Sequence, residues 1–271
     1  MAMNIEDRDF HRLRVYVQEN YGINLEKKRI LVEGRLSNTV IQAGFDNFGD
    51  YLDDVFMDKS GEKIDTLITK LTTNYTYFMR EEIHYNFLMK NALAEWSKKI
   101  RDYDLRIWSA GCSSGEEAYT IAMVINEFFW SSKMAWDTTV LATDISPKVL
   151  AAAKEGVYTH DQLNRLPKGW KEKYFADIGS GLWKVKPALA REVIFTRFNL
   201  MDSFKKFRRK FHIIFCRNVM IYFNEKTKIE LAGKFHDILE QGGYLFVGLS
   251  ETLSGLNSDL VQISPSIYRK V

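Results

Sequence analysis

The chain has 271 residues, 46% hydrophobic and 27% charged, the balance of an ordinary globular protein of one or two domains rather than a disordered or fibrous one. Its two cysteines, Cys112 and Cys216, are far apart with no CxxC spacing, so neither a disulfide framework nor a zinc site is indicated. The formal net charge is +3; residues 1–90 hold 12 Lys/Arg against 15 Asp/Glu, a balance of −3, which leaves +6 for residues 91–271, and neither part is basic enough to demand nucleic acid.

The first residues, MAMNIEDRDFHRLR, have no apolar core of signal-peptide type. No run approaches the roughly 18 apolar residues of a membrane span. A cytoplasmic protein without membrane insertion is the expectation, in keeping with the cysteine usage. Residues 1–90 read as helical. Phe10, Leu13, Val17 and Tyr21 recur at helical spacing; so do Val32, Leu36 and Val40, up to Gly44. Phe48, Leu52, Val55 and Phe56, then Ile64, Leu67, Ile68 and Leu71, mark two more helices. Ile83–Ile100 is expected to connect this domain to the next, with a linker at 91–104.

From 105 to the end, strands alternate with helices, the pattern of a parallel α/β sheet. LRIWSA is the first strand and Ala118–Trp130 its helix; TTVLATD is the second, followed by a helix opened by Pro147. REVIFTRFNL, FHIIFCRN and GGYLFVGL give three more strands, with a helix over Lys226–Glu240. The tail LVQISPSIYRKV is expected to pair back as one antiparallel strand. Residues 157–192 are irregular and read as an inserted subdomain. The basic cluster Lys205, Lys206, Arg208, Arg209 and Lys210 reads as a solvated loop or, alternatively, as a contact with an acidic partner.

The most informative stretch is LRIWSAGCSSGEEAY, residues 105–119. It is a strand, a small-residue loop and a helix start, an arrangement by which α/β proteins bring backbone close to a nucleotide-like ligand. Gly111 and Gly115 allow backbone shapes that a side chain blocks. Glu116 and Glu117 occupy the first helical turn, where the macrodipole favours negative charge. Open α/β sheets bind ligands at the carboxyl ends of their strands, which here are Ala110–Gly115, Asp144, Asn199–Leu200 and Arg217–Asn218. An acid such as Asp144 can accept hydrogen bonds from both ribose hydroxyls, or alternatively cap the following helix. The loop GCSSGE spells G-x-x-x-G rather than G-x-G-x-x-G, which counts against a pyrophosphate and hence against NAD. S-adenosylmethionine carries a ribose but no phosphate, and its ammonium suits an acid such as Glu117.

These segments resemble the CheR-type chemoreceptor glutamate methyltransferases. The matching blocks are LTTNYTYFMREE, IWSAGCSSGEEAYTIAM, LATDIS, FNL, CRNVMIYF and GGYLFVGLSE, in family order across almost the whole chain. The resemblance implies a helical N-terminal domain (1–90) before a Rossmann-like S-adenosylmethionine-dependent methyltransferase domain (105–271), with a small antiparallel β subdomain inserted. It implies cofactor contacts at Asn74, Thr76, Arg80, Gly111, Glu117, Asp144, Asn199, Leu200, Arg217 and Asn218, with S-adenosylhomocysteine as product. The catalytically implicated arginine and tyrosine fall on Arg80 and Tyr222. Lys28 and Arg35, whose i, i+7 spacing places them on one helix face, match a basic helix that faces the receptor. The implied partner is the cytoplasmic helical bundle of a chemoreceptor, met by a monomer. FADIGSGLWKV is a few residues shorter than the corresponding loop of members tethered to a receptor's C-terminal pentapeptide, and so resembles the pentapeptide-independent members. Gly34, beside Arg35, has no sequence rationale.

The implied reaction, methyl transfer to a glutamate carboxylate, is an in-line displacement on a group already ionised at neutral pH. It needs alignment rather than a general base, so His11, His84, His160, His212 and His236 need no role. By themselves Asn74 and Thr76 read as turn and N-cap residues. Two other functions share parts of this pattern. A nucleic-acid methyltransferase is disfavoured because CRNVMIYF lacks the Asp/Asn-Pro-Pro-aromatic motif. A non-catalytic S-adenosylmethionine-binding sensor or scaffold module would keep the pocket but has no need of Arg80 and Tyr222.

Overall fold

A computed structural model describes residues 3–255 and 259–271. The chain divides into two compact units, one of residues up to Asn74 with Tyr222–Thr227, the other of Tyr75–Ile221 with Lys228–Val271.

The first unit holds helices α1 (Asp7–Tyr21), α2 (Arg29–Gln42), α3 (Phe48–Met57) and α4 (Glu62–Leu71). Each buries one apolar stripe: Leu13 and Val17, Val32, Leu36 and Val40, Leu52 and Val55, Leu67 and Ile68. Gly22 ends α1 in the left-handed region at φ 71°, and the Asn47 side chain caps α3 by accepting from the Asp50 N–H. Asp9, buried, is neutralised by Arg12 at 3.2 Å. The segment Tyr222–Thr227 joins these helices through an antiparallel bridge between Ile23 and Phe223. The Asn24 N–H also donates to the Tyr222 carbonyl at 2.7 Å.

The second unit opens with a helical run made of α5 (Glu82–Phe87), a π-helical turn (Leu88–Ala92) and α6 (Leu93–Lys99). Tyr85, Leu88, Ala92, Leu93 and Trp96 bury into the same core as the sheet residues Ile107, Phe215 and Phe246. This places the run with the α/β unit, and the units part at Asn74 rather than at residue 90. Then follow β1 (Ile107–Ala110), α7 (Glu116–Phe129), β2 (Val140–Asp144), α8 (Pro147–Glu155), β3 (Val157–Thr159), α9 (His160–Leu163), α10 (Trp170–Tyr174), β4 (Phe175–Gly179), β5 (Leu182–Val185), α11 (Pro187–Ala190), β6 (Val193–Arg197), β7 (Phe211–Cys216), α12 (Glu225–Ile238), β8 (Leu239–Val247), β9 (Leu260–Ser264) and β10 (Ile267–Lys270).

The main sheet has the order β6-β2-β1-β7-β8-β10-β9. The first five are parallel, and β10 runs antiparallel between β8 and β9. Strand β7 is buried at every residue, as expected where helices cover both faces of a parallel sheet. The tail is therefore a hairpin, not one strand; Pro265 has no N–H to extend the ladder, and Ser266 turns the chain at φ 58°. The inserted region forms a separate three-stranded antiparallel sheet, β3-β5-β4. Among the described residues no helix is long and apolar enough to cross a membrane.

Candidate active site

Strand order reverses at β1, whose neighbours are β2 on one side and β7 on the other. In open α/β sheets the crevice outside such a switch point is where ligands bind. The loop after β1 is pinned there by its backbone: the N–H groups of Gly111 and Cys112 both donate to the Thr143 carbonyl, at 2.8 and 2.9 Å. Gly111 has φ 96°, and a Cβ on it would stand 2.4 Å from Cγ2 of Val219. Glycine is thus required for the β1 and β7 exits to approach each other.

Two carboxylates stand beside this loop, Asp144 at the end of β2 and Glu117 in the first turn of α7. Asp144, buried at the end of β2, accepts from the Ser113 N–H through Oδ2 (2.9 Å) and from the Ser146 N–H through Oδ1 (3.0 Å). It braces the glycine loop and caps the following turn together, while Ser146 itself is the N-cap of α8. Burial pushes its pKa up, against the pull of these N–H donors. Glu117 accepts from the Ser109 hydroxyl at 2.7 Å and from Arg217 Nη1 at 3.1 Å. Burial raises its pKa too, opposed by the Arg217 charge. Two of the roughly four lone-pair positions of this carboxylate are thereby used, leaving acceptor capacity for a further donor.

Asn199 and Leu200 follow β6. The Phe198 N–H donates to the Asp144 carbonyl at 3.1 Å, placing Asn199 one residue from that link. Oδ1 of Asn199 accepts from the Met201 N–H at 3.0 Å, and Lys234 Nζ holds the Leu200 carbonyl at 3.2 Å.

Arg217, its side chain 1% exposed, lies between two carboxylates: Nη2 is 3.0 Å from Glu81 and Nη1 is 3.1 Å from Glu117. The same guanidinium donates to the Tyr85 hydroxyl at 3.0 Å and to the Arg80 carbonyl. Arg80 lies between Met79 (φ 60°) and Glu81 (φ 58°), two non-glycine residues in the left-handed region. Its guanidinium donates to the Tyr75 carbonyl at 2.8 Å and sits over the Tyr77 ring. Thr76 lies in the irregular segment before it and caps no helix, since the N-cap of α5 is Glu81.

Asn74, Tyr222, Lys28 and Arg35 belong to the helical unit. The Tyr222 hydroxyl donates to the Thr73 carbonyl and accepts from the Thr73 N–H, both at 2.9 Å. Arg35 donates to the Leu71 carbonyl at 2.7 Å and to the Thr73 hydroxyl at 2.5 Å. Lys28 lies over the Tyr222 ring at 5.8 Å, and burial, then the Arg35 charge, lowers its pKa. It is the N-cap of α2 rather than a residue inside it. Three of the residues singled out in the sequence, Lys28, Arg35 and Tyr222, thus converge around Thr73. Gly34 is in open space and nothing in the structure requires it.

Sequence reasoning assigned no role to Glu81 or Glu251. Both bear on the β7 exit through long-range bonds, and the only trace was their place inside the blocks MREE and GLSE.

Residues 74–268 match the CheR methyltransferase, SAM binding domain, and residues 8–72 match the CheR methyltransferase, all-alpha domain. A chemotaxis protein methyltransferase of Borreliella burgdorferi is 45% identical over all of this chain and 96% of its own length. One of Pseudomonas aeruginosa is 36% identical over 98% of this chain and 99% of its own. That of Escherichia coli is 33% identical over 97% and 91%. The donor set fits S-adenosylmethionine, the cofactor of the matched domain: an acid in the first helical turn after the glycine loop, a buried acid at the end of β2, and a glycine loop held close by Val219. The chain belongs to the CheR methyltransferase family and is an S-adenosylmethionine-dependent methyltransferase.

Proposed function

We propose that this enzyme methylates side-chain carboxylates of glutamates in the cytoplasmic helical bundle of chemoreceptors, forming methyl esters. The observation that carries the reading is the end-to-end match, through both units, to chemotaxis protein methyltransferases at up to 45% identity. A receptor bundle presents glutamates that are ionised at neutral pH and need no deprotonation. The bound cofactor supplies the activated methyl group.

The rest of the chemistry is positioning. Asn74, Thr76, Gly111, Glu117, Asp144, Asn199, Leu200, Arg217 and Asn218 hold the cofactor in this reading: Asp144 at its ribose, Glu117 at its ammonium. Arg80 offers a charge-assisted hydrogen bond to a carboxylate, and Tyr222 a hydroxyl near the reacting atoms. No histidine is needed as a base. His84 and His212 are buried, and burial lowers their pKa to about 4 and about 3. Lys28 and Arg35 supply positive charge for an acidic receptor surface. With a short turn, Gly179–Gly181, joining β4 and β5, recognition rests on the helical unit and not on a receptor tail. The enzyme acts as a cytoplasmic monomer in this account.

Incubation with methyl-labelled cofactor and receptor cytoplasmic fragments tests the reading. Label released as methanol in mild base supports a carboxyl ester. Base-stable label would mean methylation of nitrogen. Tight cofactor binding with no transfer to any receptor fragment would favour a binding module instead.

A further inference from the structure

The residues after β7 are held in an unusual shape. Asn218 has φ 59°, in the left-handed region that asparagine visits more readily than other residues with a side chain but that its surroundings must still select. Here the surroundings are two carboxylates. Glu251, 7% exposed, lies just past β8. Its Oε2 accepts from the N–H groups of Asn218 (2.8 Å) and Gly248 (2.6 Å), and its Oε1 from the Ile221 N–H (3.1 Å). Glu81 works on the side chains: Oε1 accepts from Asn218 Nδ2 at 3.3 Å, and Oε2 from Arg217 Nη2 at 3.0 Å, Arg217 Nε at 3.3 Å and the Leu249 N–H at 3.2 Å.

The clasp leaves no spare space. A Cβ on Gly248 would stand 2.5 Å from Asn218 Nδ2 and 2.8 Å from Glu251 Oε2. The Arg217 guanidinium is also pinned from its far side by Glu117. The hydrogen bonds of Glu81 and Glu251 run to the β7 exit and to Gly248 and Leu249, so these carboxylates fix other groups.

We propose that Glu81 and Glu251 are positioning residues of the methyltransferase: Glu251 sets the backbone of the β7 exit and Glu81 sets the Arg217 and Asn218 side chains, so that this exit meets the cofactor preformed. This role rests on reading Arg217 and Asn218 as cofactor contacts. Loss of either carboxylate frees Asn218 to relax from its left-handed conformation, and the cofactor must then reorder it on binding.

The test uses the full chain and the product S-adenosylhomocysteine as probe, with Kd measured by calorimetry well below the melting temperature. Glu81→Gln and Glu251→Gln, near-isosteric and uncharged, are each expected to weaken binding about tenfold or more while circular dichroism stays native. Glu81→Gln combined with Asn218→Ala is expected to weaken binding by less than the product of the two single effects, the sign that Glu81 acts in part through Asn218. A merely structural carboxylate would lower the melting temperature and leave Kd alone. If both Gln variants bind within twofold of wild type while Asn218→Ala is weakened, the positioning role is overturned. If Asn218→Ala itself binds normally, the cofactor-contact reading fails and the role with it. Should a Gln variant not fold, Gly248→Ala presses on the same groups; wild-type Kd in that variant overturns the proposal.

Discussion

Replacing Arg217 by Met is the sharpest perturbation of the site. The side chain is 1% exposed and is paired with Glu81 and Glu117, themselves 13% and 12% exposed. Met keeps an unbranched apolar stem but strands both carboxylates without the cation, and removes the donors to the Tyr85 hydroxyl and the Arg80 carbonyl. Breaking a buried pair by removing one partner costs about 3–5 kcal/mol, a large share of the roughly 5–15 kcal/mol that holds a domain folded. The pH dependence is also set. Arg217 is what holds the Glu81 pKa down and opposes the rise at Glu117. In the variant, both carboxyls rise above their unfolded values, so the folded state binds more protons than the unfolded one. Variant stability then falls as pH rises through these pKa values, and the deficit against wild type is larger at pH 8 than at pH 5. All six tryptophans lie in the α/β unit, so urea unfolding followed by tryptophan fluorescence reports on that unit. A deficit under about 1 kcal/mol, or one that does not change with pH, would refute the argument that the carboxylates depend on Arg217.

Arg80→Ala is expected to abolish methyl transfer with the fold retained, by circular dichroism and a labelled-transfer assay; near-wild-type transfer would sink its assignment. Tyr222→Phe removes both hydroxyl bonds to Thr73, expected to cost about 1 kcal/mol, and should lower turnover more than cofactor affinity. Equal loss of both would make it a residue that only shapes its surroundings. Gly111→Ala meets two penalties, about 1–2 kcal/mol for a side chain in the left-handed region and about 1–3 kcal/mol for crowding against Val219. Adding Val219→Ala should recover the second part alone, measured by thermal melting.

What the sequence disclosed about the site follows from range. Gly111 and Asp144 were legible because each stands at the end of its own strand, and Glu117 because it opens the helix that follows the glycine loop. The same strand-end logic located Arg217 and Asn218. Glu81 and Glu251 were not legible, because their partners are 136 and 33 residues away and no local period records such bonds. The boundary at residue 90 was misplaced because the run from α5 to α6 is as amphipathic as the helices before it; only its packing on Phe215 and Phe246 reveals which unit it serves. Tyr222 seemed part of the α/β domain by position, yet the Ile23–Phe223 bridge takes its segment into the helical unit. The tail hairpin was hidden because Leu260–Lys270 keeps apolar residues on either side of Pro265, where one strand and two read alike.

The most direct measurement is mass spectrometry of a receptor cytoplasmic fragment after incubation with the enzyme and S-adenosylmethionine, mapping each added methyl to its residue. Methyl groups are expected on glutamate side chains only, removed by mild alkali and absent when Arg80→Ala replaces the wild type. Methyl groups on lysine, arginine or a chain terminus, or none on any glutamate while the cofactor binds, would contradict the proposed activity.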